Sequence, residues 1–191
     1  MKEFPRHIVI ILAFLAAIPA GAENLLRNPS FEEDGIEYDT AKHWKNNDPD
    51  DHGDSWGNAT RVIWRAHDGH YAGAIRGTWA ERGDYGGFWQ EHDAAAGQIY
   101  RATAWFWADG NWTAEFQDFK LEFWNEDRTV QIAAHSVALH DIGELWVQRE
   151  LEATAPEGTR WVRIAVNVGS VGENGALQVD DLSLEQLPTP Q

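Results

Sequence analysis

The chain has 191 residues, 15 basic against 31 acidic side chains (net −16 with neutral histidine), no cysteine and 11 tryptophans. Without cysteine there is no disulfide framework, no thiolate zinc or iron–sulfur site and no cysteine nucleophile. A surface this acidic repels phosphate backbones and anionic lipid, which excludes nucleic acid and membrane surfaces as expected partners.

In chain order, Lys2, Arg6 and His7 precede an apolar run from Ile8 to Ile18, followed by the small residues of Pro19-Ala20-Gly21-Ala22. The run is too short for a span of ~20 residues, so it reads as a secretory signal over residues 1–22, cleaved near Ala22. The expected product is a secreted protein, extracellular or periplasmic. Residues 23–187 then form one domain, and residues 188–191 are a Pro-rich tail. The loop from Asn46 to Asp54 is acidic and reads as solvated surface.

The rest of the chain alternates with a period of two and shows no helical period. Short β-branched and aromatic runs predict strands over Thr60–Trp64, Tyr71–Ile75, Gly87–Glu91, Ile99–Ala108, Phe116–Trp124, Thr129–Val137, Leu145–Leu151, Arg160–Val168 and Ala176–Leu184. Turn clusters such as Asp109-Gly110-Asn111 and Glu173-Asn174-Gly175 separate them. Strands at this spacing predict an all-β fold, an antiparallel β-sandwich.

Three of these strands carry aromatics on both faces. One parity of Arg160–Val168 is Val162, Ile164, Val166 and Val168, a core face; the other is Trp161, Arg163, Ala165 and Asn167. Tyr100, Ala102, Ala104 and Phe106 oppose Arg101, Thr103, Trp105 and Trp107, and Phe119, Leu121 and Phe123 oppose Lys120, Glu122 and Trp124. A two-layer sandwich buries one face of each sheet, so the second aromatic set lies under loops or lines an open cleft. Rings mixed with Arg, Asn and Glu suit a sugar, whose C–H faces pack on rings while its hydroxyls need fixed donors and acceptors.

The opening Asn24-Leu25-Leu26-Arg27-Asn28-Pro29-Ser30-Phe31-Glu32 and the close Leu177-Gln178-Val179-Asp180-Asp181-Leu182-Ser183-Leu184 together resemble the carbohydrate-binding modules of families four, nine and twenty-two, within the galactose-binding-like jelly-roll superfamily. Asp68-Gly69-His70-Tyr71-Ala72, Gln90, Gly97 to Trp105, Trp146 and Ala155-Pro156-Glu157-Gly158-Thr159 follow the same pattern in order. The resemblance implies a jelly roll that binds polysaccharide or oligosaccharide without catalysis. It also implies a structural calcium joining the first and last strands, held by the Glu32 and Asp180 side chains and the carbonyls of Ser30, His67 and His70. Calcium takes six to eight hard oxygens and mixes carboxylates with carbonyls readily. For the sugar it implies either a concave sheet face, here Arg101, Trp105, Trp107, Trp161, Arg163 and Asn167, or a loop rim, here Trp79, Tyr85, Trp89 and Trp112.

No nucleophile elbow, His-Glu-x-x-His pair, phosphate loop or dinucleotide fingerprint is present in the sequence. Two alternatives remain: a small jelly-roll glycoside hydrolase or polysaccharide lyase, with Glu115 and Glu122 as its testable carboxylates, and a cell-surface or protein-interaction domain of the same fold.

Overall fold

A computed structural model describes residues 22–35, 41–46, 59–80 and 83–188. The expected signal segment, except Ala22, lies outside the described residues, as do the acidic loop beyond Asn46 and the tail after Pro188. Among the described residues no helix is long and apolar enough to cross a membrane.

Ten strands form: β1 Lys45–Asn46, β2 Ala59–Val62, β3 Ala72–Arg76, β4 Tyr85–Asp93, β5 Ile99–Ala108, β6 Ala114–Trp124, β7 Gln131–Ala138, β8 Val147–Thr154, β9 Trp161–Val171 and β10 Ala176–Leu187. They pair antiparallel in two five-stranded sheets, β1-β4-β9-β6-β7 and β2-β3-β10-β5-β8. The all-β antiparallel sandwich expected from the alternation is therefore the observed fold. The expected strands all appear, with ends displaced by a few residues; the added strand is the two-residue β1, too short to show a period.

The core lies where the alternation placed it. Phe88, Phe119, Leu121, Phe123, Val162, Ile164 and Val166 of the first sheet face Ile75, Tyr100, Ala102, Ala104, Phe106, Leu177 and Leu184 of the second, all at most 1% exposed. Phe31, from the opening segment, inserts at one side, stacked on Trp44 at 5.0 Å and tilted against Phe88 at 5.3 Å. Gly73 makes room for it, since a Cβ there would lie 2.8 Å from the Phe31 ring. The two ends of the chain meet through Leu25 N–H donating to the Leu184 carbonyl (2.8 Å) and Leu182 N–H donating to that of Pro29 (3.1 Å).

Candidate functional site

The outer face of the first sheet is built by register. Arg163 on β9 stands between Glu91 on β4 and Glu122 on β6; Trp161 stands between Asp93 and Trp124; Asn167 stands between Gly87 and Asp118. Trp89 lies one row away, opposite Ala165, with Lys45 of β1 beyond it. Odd positions of β4 and β9 and even positions of β6 point the same way because each strand alternates and the pairing carries no shift across these rows.

These side chains hold one another. The Arg163 guanidinium lies 3.8 Å from the Trp89 ring and 4.7 Å from that of Trp124. Its Nη2 donates to Glu91 at 3.1 Å, and its Nη1 stands 3.9 Å from the Glu122 carboxylate. Arg128, in the β6–β7 turn, lies 3.5 Å from the Trp161 ring and donates through Nε to Glu91 at 2.7 Å. Lys45 stands 4.7 Å from the Trp89 ring centre. The Trp124 indole donates to Glu122 (2.9 Å) and the Trp161 indole to the Glu126 carbonyl (3.0 Å). Burial would raise the Glu91 carboxyl, but hydrogen bonds and charge from Arg128 and Arg163 prevail and hold it below the usual range. Lys45, Lys120, Arg128 and Arg163 are matched by Glu91, Asp93, Asp118 and Glu122, so the face is near neutral on a chain of net charge −16. The three tryptophans are partly exposed and fixed by cation–π and hydrogen-bond contacts.

The structure separates the residues expected to share one concave face. Trp161, Arg163 and Asn167 lie on this sheet, whereas Arg101, Trp105 and Trp107 project from β5 on the far side of the sandwich. Strand parity distinguishes inside from outside and carries no information about which sheet a strand joins. On that far side the segment 63–71 covers the rings. Arg65 stacks on Trp107 at 3.3 Å, and His67 lies on Trp105 at 4.1 Å and 14°. Trp107 is 6% exposed, and Arg101 is engaged by Glu152 at 2.9 Å. All three are engaged in packing or ion-pair contacts within the fold.

The rim set divides too. Trp89 belongs to the sheet face, with Tyr85 at its end opposite Gly169. Trp112 is 9% exposed and donates to Gln117 (2.8 Å), a buried position. Trp79 alone stands open at the sandwich end. Trp124 is not among the residues expected to bind sugar, although its parity on β6 places it on this face. Glu91, Arg128 and Lys45 had no local signal, because their relevance depends on long-range pairing.

Of the side chains expected to hold calcium, Asp180 and Glu32 each meet segment 67–71, and among the described residues no three His, Asp or Glu side chains are grouped to hold a metal ion. Asp180 is fully buried, its carboxylate accepting from the backbone N–H of His67 (2.8 Å), Asp68 (3.3 Å) and Asp181 (2.8 Å). Burial pushes its carboxyl up to about 7. Glu32 accepts from the N–H of His70 (2.8 Å) and Tyr71 (2.9 Å). Gly69, at φ +68°, lies so close to Glu32 that a side chain there would collide with the carboxylate. The Ser30 hydroxyl donates to Asp181 (2.6 Å), which also engages His67 Nδ1 at 2.6 Å. The donors are hard oxygens suited to calcium, and no basic side chain forms an ion pair with Asp180 among the described residues. Both carboxylates accept from amides of segment 67–71.

No protein-family model matches the sequence, nor does any curated protein. Solved structures do resemble it. A family 61 carbohydrate-binding module in complex with β-1,4-galactotriose shares 19% identity at TM-score 0.53 over 87% of this chain and 100% of its own. A cyclase from Fischerella sp. TAU shares 12% at TM-score 0.60 over 88% and 99%. The enzymatically active domain of bacteriophage CBA120 tailspike protein 4 shares 14% at TM-score 0.63, over 86% of this chain but 21% of that one. The chain has the jelly-roll β-sandwich found in carbohydrate-binding modules. That fold also occurs in enzymes, so function has to be argued from the site.

Proposed function

We propose that the chain is a secreted module that binds polysaccharide or oligosaccharide on the outer face of β4, β9 and β6 without transforming it. The observation that carries this is the cluster Trp89, Arg163, Trp124 and Trp161, spread over three neighbouring rows: partly exposed rings held by guanidinium groups, among carboxylate and amide side chains. Rings immobilised before binding lose little entropy on contact, and the partly exposed Asn167, Asp118 and Lys120 beside them offer polar partners for hydroxyl groups, while the nearly buried Glu91 and Glu122 hold Arg163 in place. Open sites with modest stacking give dissociation constants roughly from micromolar to millimolar, about −8 to −4 kcal/mol. The apolar run after a basic start supports export. Calcium at Glu32 and Asp180 would supply a counter-charge to a buried carboxylate and tie segment 67–71 to both ends of the chain.

A hydrolase reading has one observation in its favour. Glu91 and Glu122 flank Arg163 from the two neighbouring strands, about 10 Å apart at the backbone, near the spacing of paired glycosidase carboxylates. Glu115 lies seven positions from Glu122, about 23 Å along the strand, and is no partner for it. Glu91 is held ionised by two arginines, which suits a fixed acceptor and not a proton donor. Affinity electrophoresis over soluble glucans, xylans, galactans, mannans and uronans, with reducing-end and unsaturated-product assays on the same mixtures, separates the readings. Retention without product supports a binder. Product release establishes an enzyme, and retention by none of these polymers defeats the glycan reading.

A further inference from the structure

We propose that the free edge of the first sheet, strand β7, is a self-association surface: two copies of the chain pair β7 to β7, antiparallel about a two-fold axis, and join their five-stranded sheets into one. The proposal stands on the edge itself and does not depend on the glycan-binding reading.

Among the described residues the two sheets end in the edge strands β1, β7, β2 and β8, and only β7 is unguarded. β1 has two residues and β2 four, with Arg61 of β2 engaged by the carbonyls of Phe31 and Glu32. β8 carries Arg149, Glu150 and Glu152. Short or charged edges resist pairing with another chain. β7 has neither device: Gln131-Ile132-Ala133-Ala134-His135-Ser136-Val137-Ala138 holds no Lys, Arg, Asp, Glu, Pro or Gly, in a chain that is 24% charged. Every residue of it is exposed or half-buried.

The backbone of this edge is open to a partner. Leu139 N–H donates to the Gln117 carbonyl at 2.9 Å, and Val137, His135 and Ala133 stand opposite Phe119, Leu121 and Phe123 of β6. Alternation then turns the N–H and C=O of Ala134, Ser136 and Ala138 away from β6, where no described residue bonds to them. The side chains of these three are small and uncharged, so nothing bars close approach. A two-fold pairing centred on Ser136 sets Ser136 against its own counterpart and Ala134 against Ala138 of the second copy, each pair exchanging both backbone bonds. Val130, 54% exposed just before the strand, then meets the segment that follows β7 in the second copy.

Charge and size fix the occupant and its strength. A chain of net charge −16 repels its own copies, and an uncharged edge is where that repulsion is least. In the joined sheet the charged residues beside β7 (Asp118, Lys120 and Glu122 of β6) are separated from those of the second copy by three strand spacings, about 14 Å, beyond the ~8 Å screening length at physiological salt. The matching strand has to be uncharged, extended and of equal length, and β7 of a second copy is all three. An edge of eight residues, about 27 Å long, buries less than the ~1,200–2,000 Å² of a standard interface. The dimer is therefore weak, with a dissociation constant of roughly 0.1–1 mM that falls as salt screens the acid excess. Its two β4–β9–β6 faces point the same way, so they act together on one surface.

The test needs no sugar. In sedimentation velocity from roughly 10 µM to 2 mM, the sedimentation coefficient rises with concentration toward that of a dimer, and rises further with added salt. Ser136→Asp faces Lys120 within its own sheet but a second carboxylate across the two-fold axis, so it stays monomeric throughout with an unchanged melting temperature. Should it misfold, Ser136→Pro removes an outward N–H that an edge strand can spare and serves the same comparison. Because the chain has no cysteine, Ser136→Cys reports the register. Counterparts in a hydrogen-bonded pair lie about 5.5 Å apart at Cα, within disulfide reach. On mild oxidation it cross-links roughly tenfold faster than Ala96→Cys in the exposed β4–β5 turn. A monomer at every concentration overturns the proposal. So does association that survives the Ser136 variants, which puts the contact elsewhere, or cross-linking of Ser136→Cys no faster than that of Ala96→Cys.

Discussion

Arg163 lies against Trp89 and Trp124 with Glu91 on one side and Glu122 on the other, so its charge is matched before any ligand arrives. Replacing it leaves Glu122 without its cation and Glu91 with Arg128 alone, and Arg163→Ala is expected to cost both stability and binding. Trp124→Ala removes a ring near the sheet surface and disturbs the core little. It should weaken polysaccharide retention about 10- to 30-fold, ~1.4–2 kcal/mol, with only a small change in melting temperature. Glu91 supplies the pH dependence. Its carboxyl is lowered when folded, so its stabilisation is complete above the unfolded carboxylate value of about 4.3 and is lost as pH falls through the folded value. Melting curves between pH 7 and pH 3 should show a decline that Glu91→Gln reduces; an identical acid profile in that variant contradicts the ion-pair assignment.

At the scale of elements, segment 63–71 decides which aromatics are free. It lays Arg65 and His67 over Trp107 and Trp105, while its amides grip Asp180 and Glu32. Trp105→Ala should therefore destabilise the fold by about 2–3 kcal/mol, a fall in melting temperature on the order of 5–10 °C for a domain of this size. Glycan binding at permissive temperature should survive. If calcium ties this segment down, chelation lowers the melting temperature, and calcium at 100 times its dissociation constant restores ~2.7 kcal/mol. Asp180→Asn should abolish that response, and a melting curve indifferent to chelator contradicts the calcium site. Here the sequence was half legible. The alternation in β5 correctly set Tyr100, Ala102, Ala104 and Phe106 inside and Trp105 and Trp107 outside. That the outward pair is roofed depends on a turn segment with no periodic signature.

For the molecule as a whole, two facts lay beyond local pattern. Sheet membership is the first: β5 and β9 carry similar outward faces, yet the jelly-roll pairing places them in opposite sheets, so residues that looked like one cleft stand on two sides. Charge distribution is the second. An excess of acid over the chain coexists with a face on which Lys45, Lys120, Arg128 and Arg163 balance their carboxylate neighbours. Such a face favours neutral sugars, and retention should change by less than about threefold between low and moderate salt. Strong weakening with salt in affinity electrophoresis contradicts a neutral ligand.

The most direct measurement is paired: affinity electrophoresis and thermal melting of Trp124→Ala and Trp105→Ala on whichever of the glucan, xylan, galactan or mannan gels retains the unaltered protein. Binding on the β4–β9–β6 face predicts that Trp124→Ala migrates freely with a near-normal melting temperature, while Trp105→Ala melts early and is still retained. The reverse pattern, with Trp124→Ala retained and a folded Trp105→Ala released, would place the sugar on the opposite sheet and contradict the account.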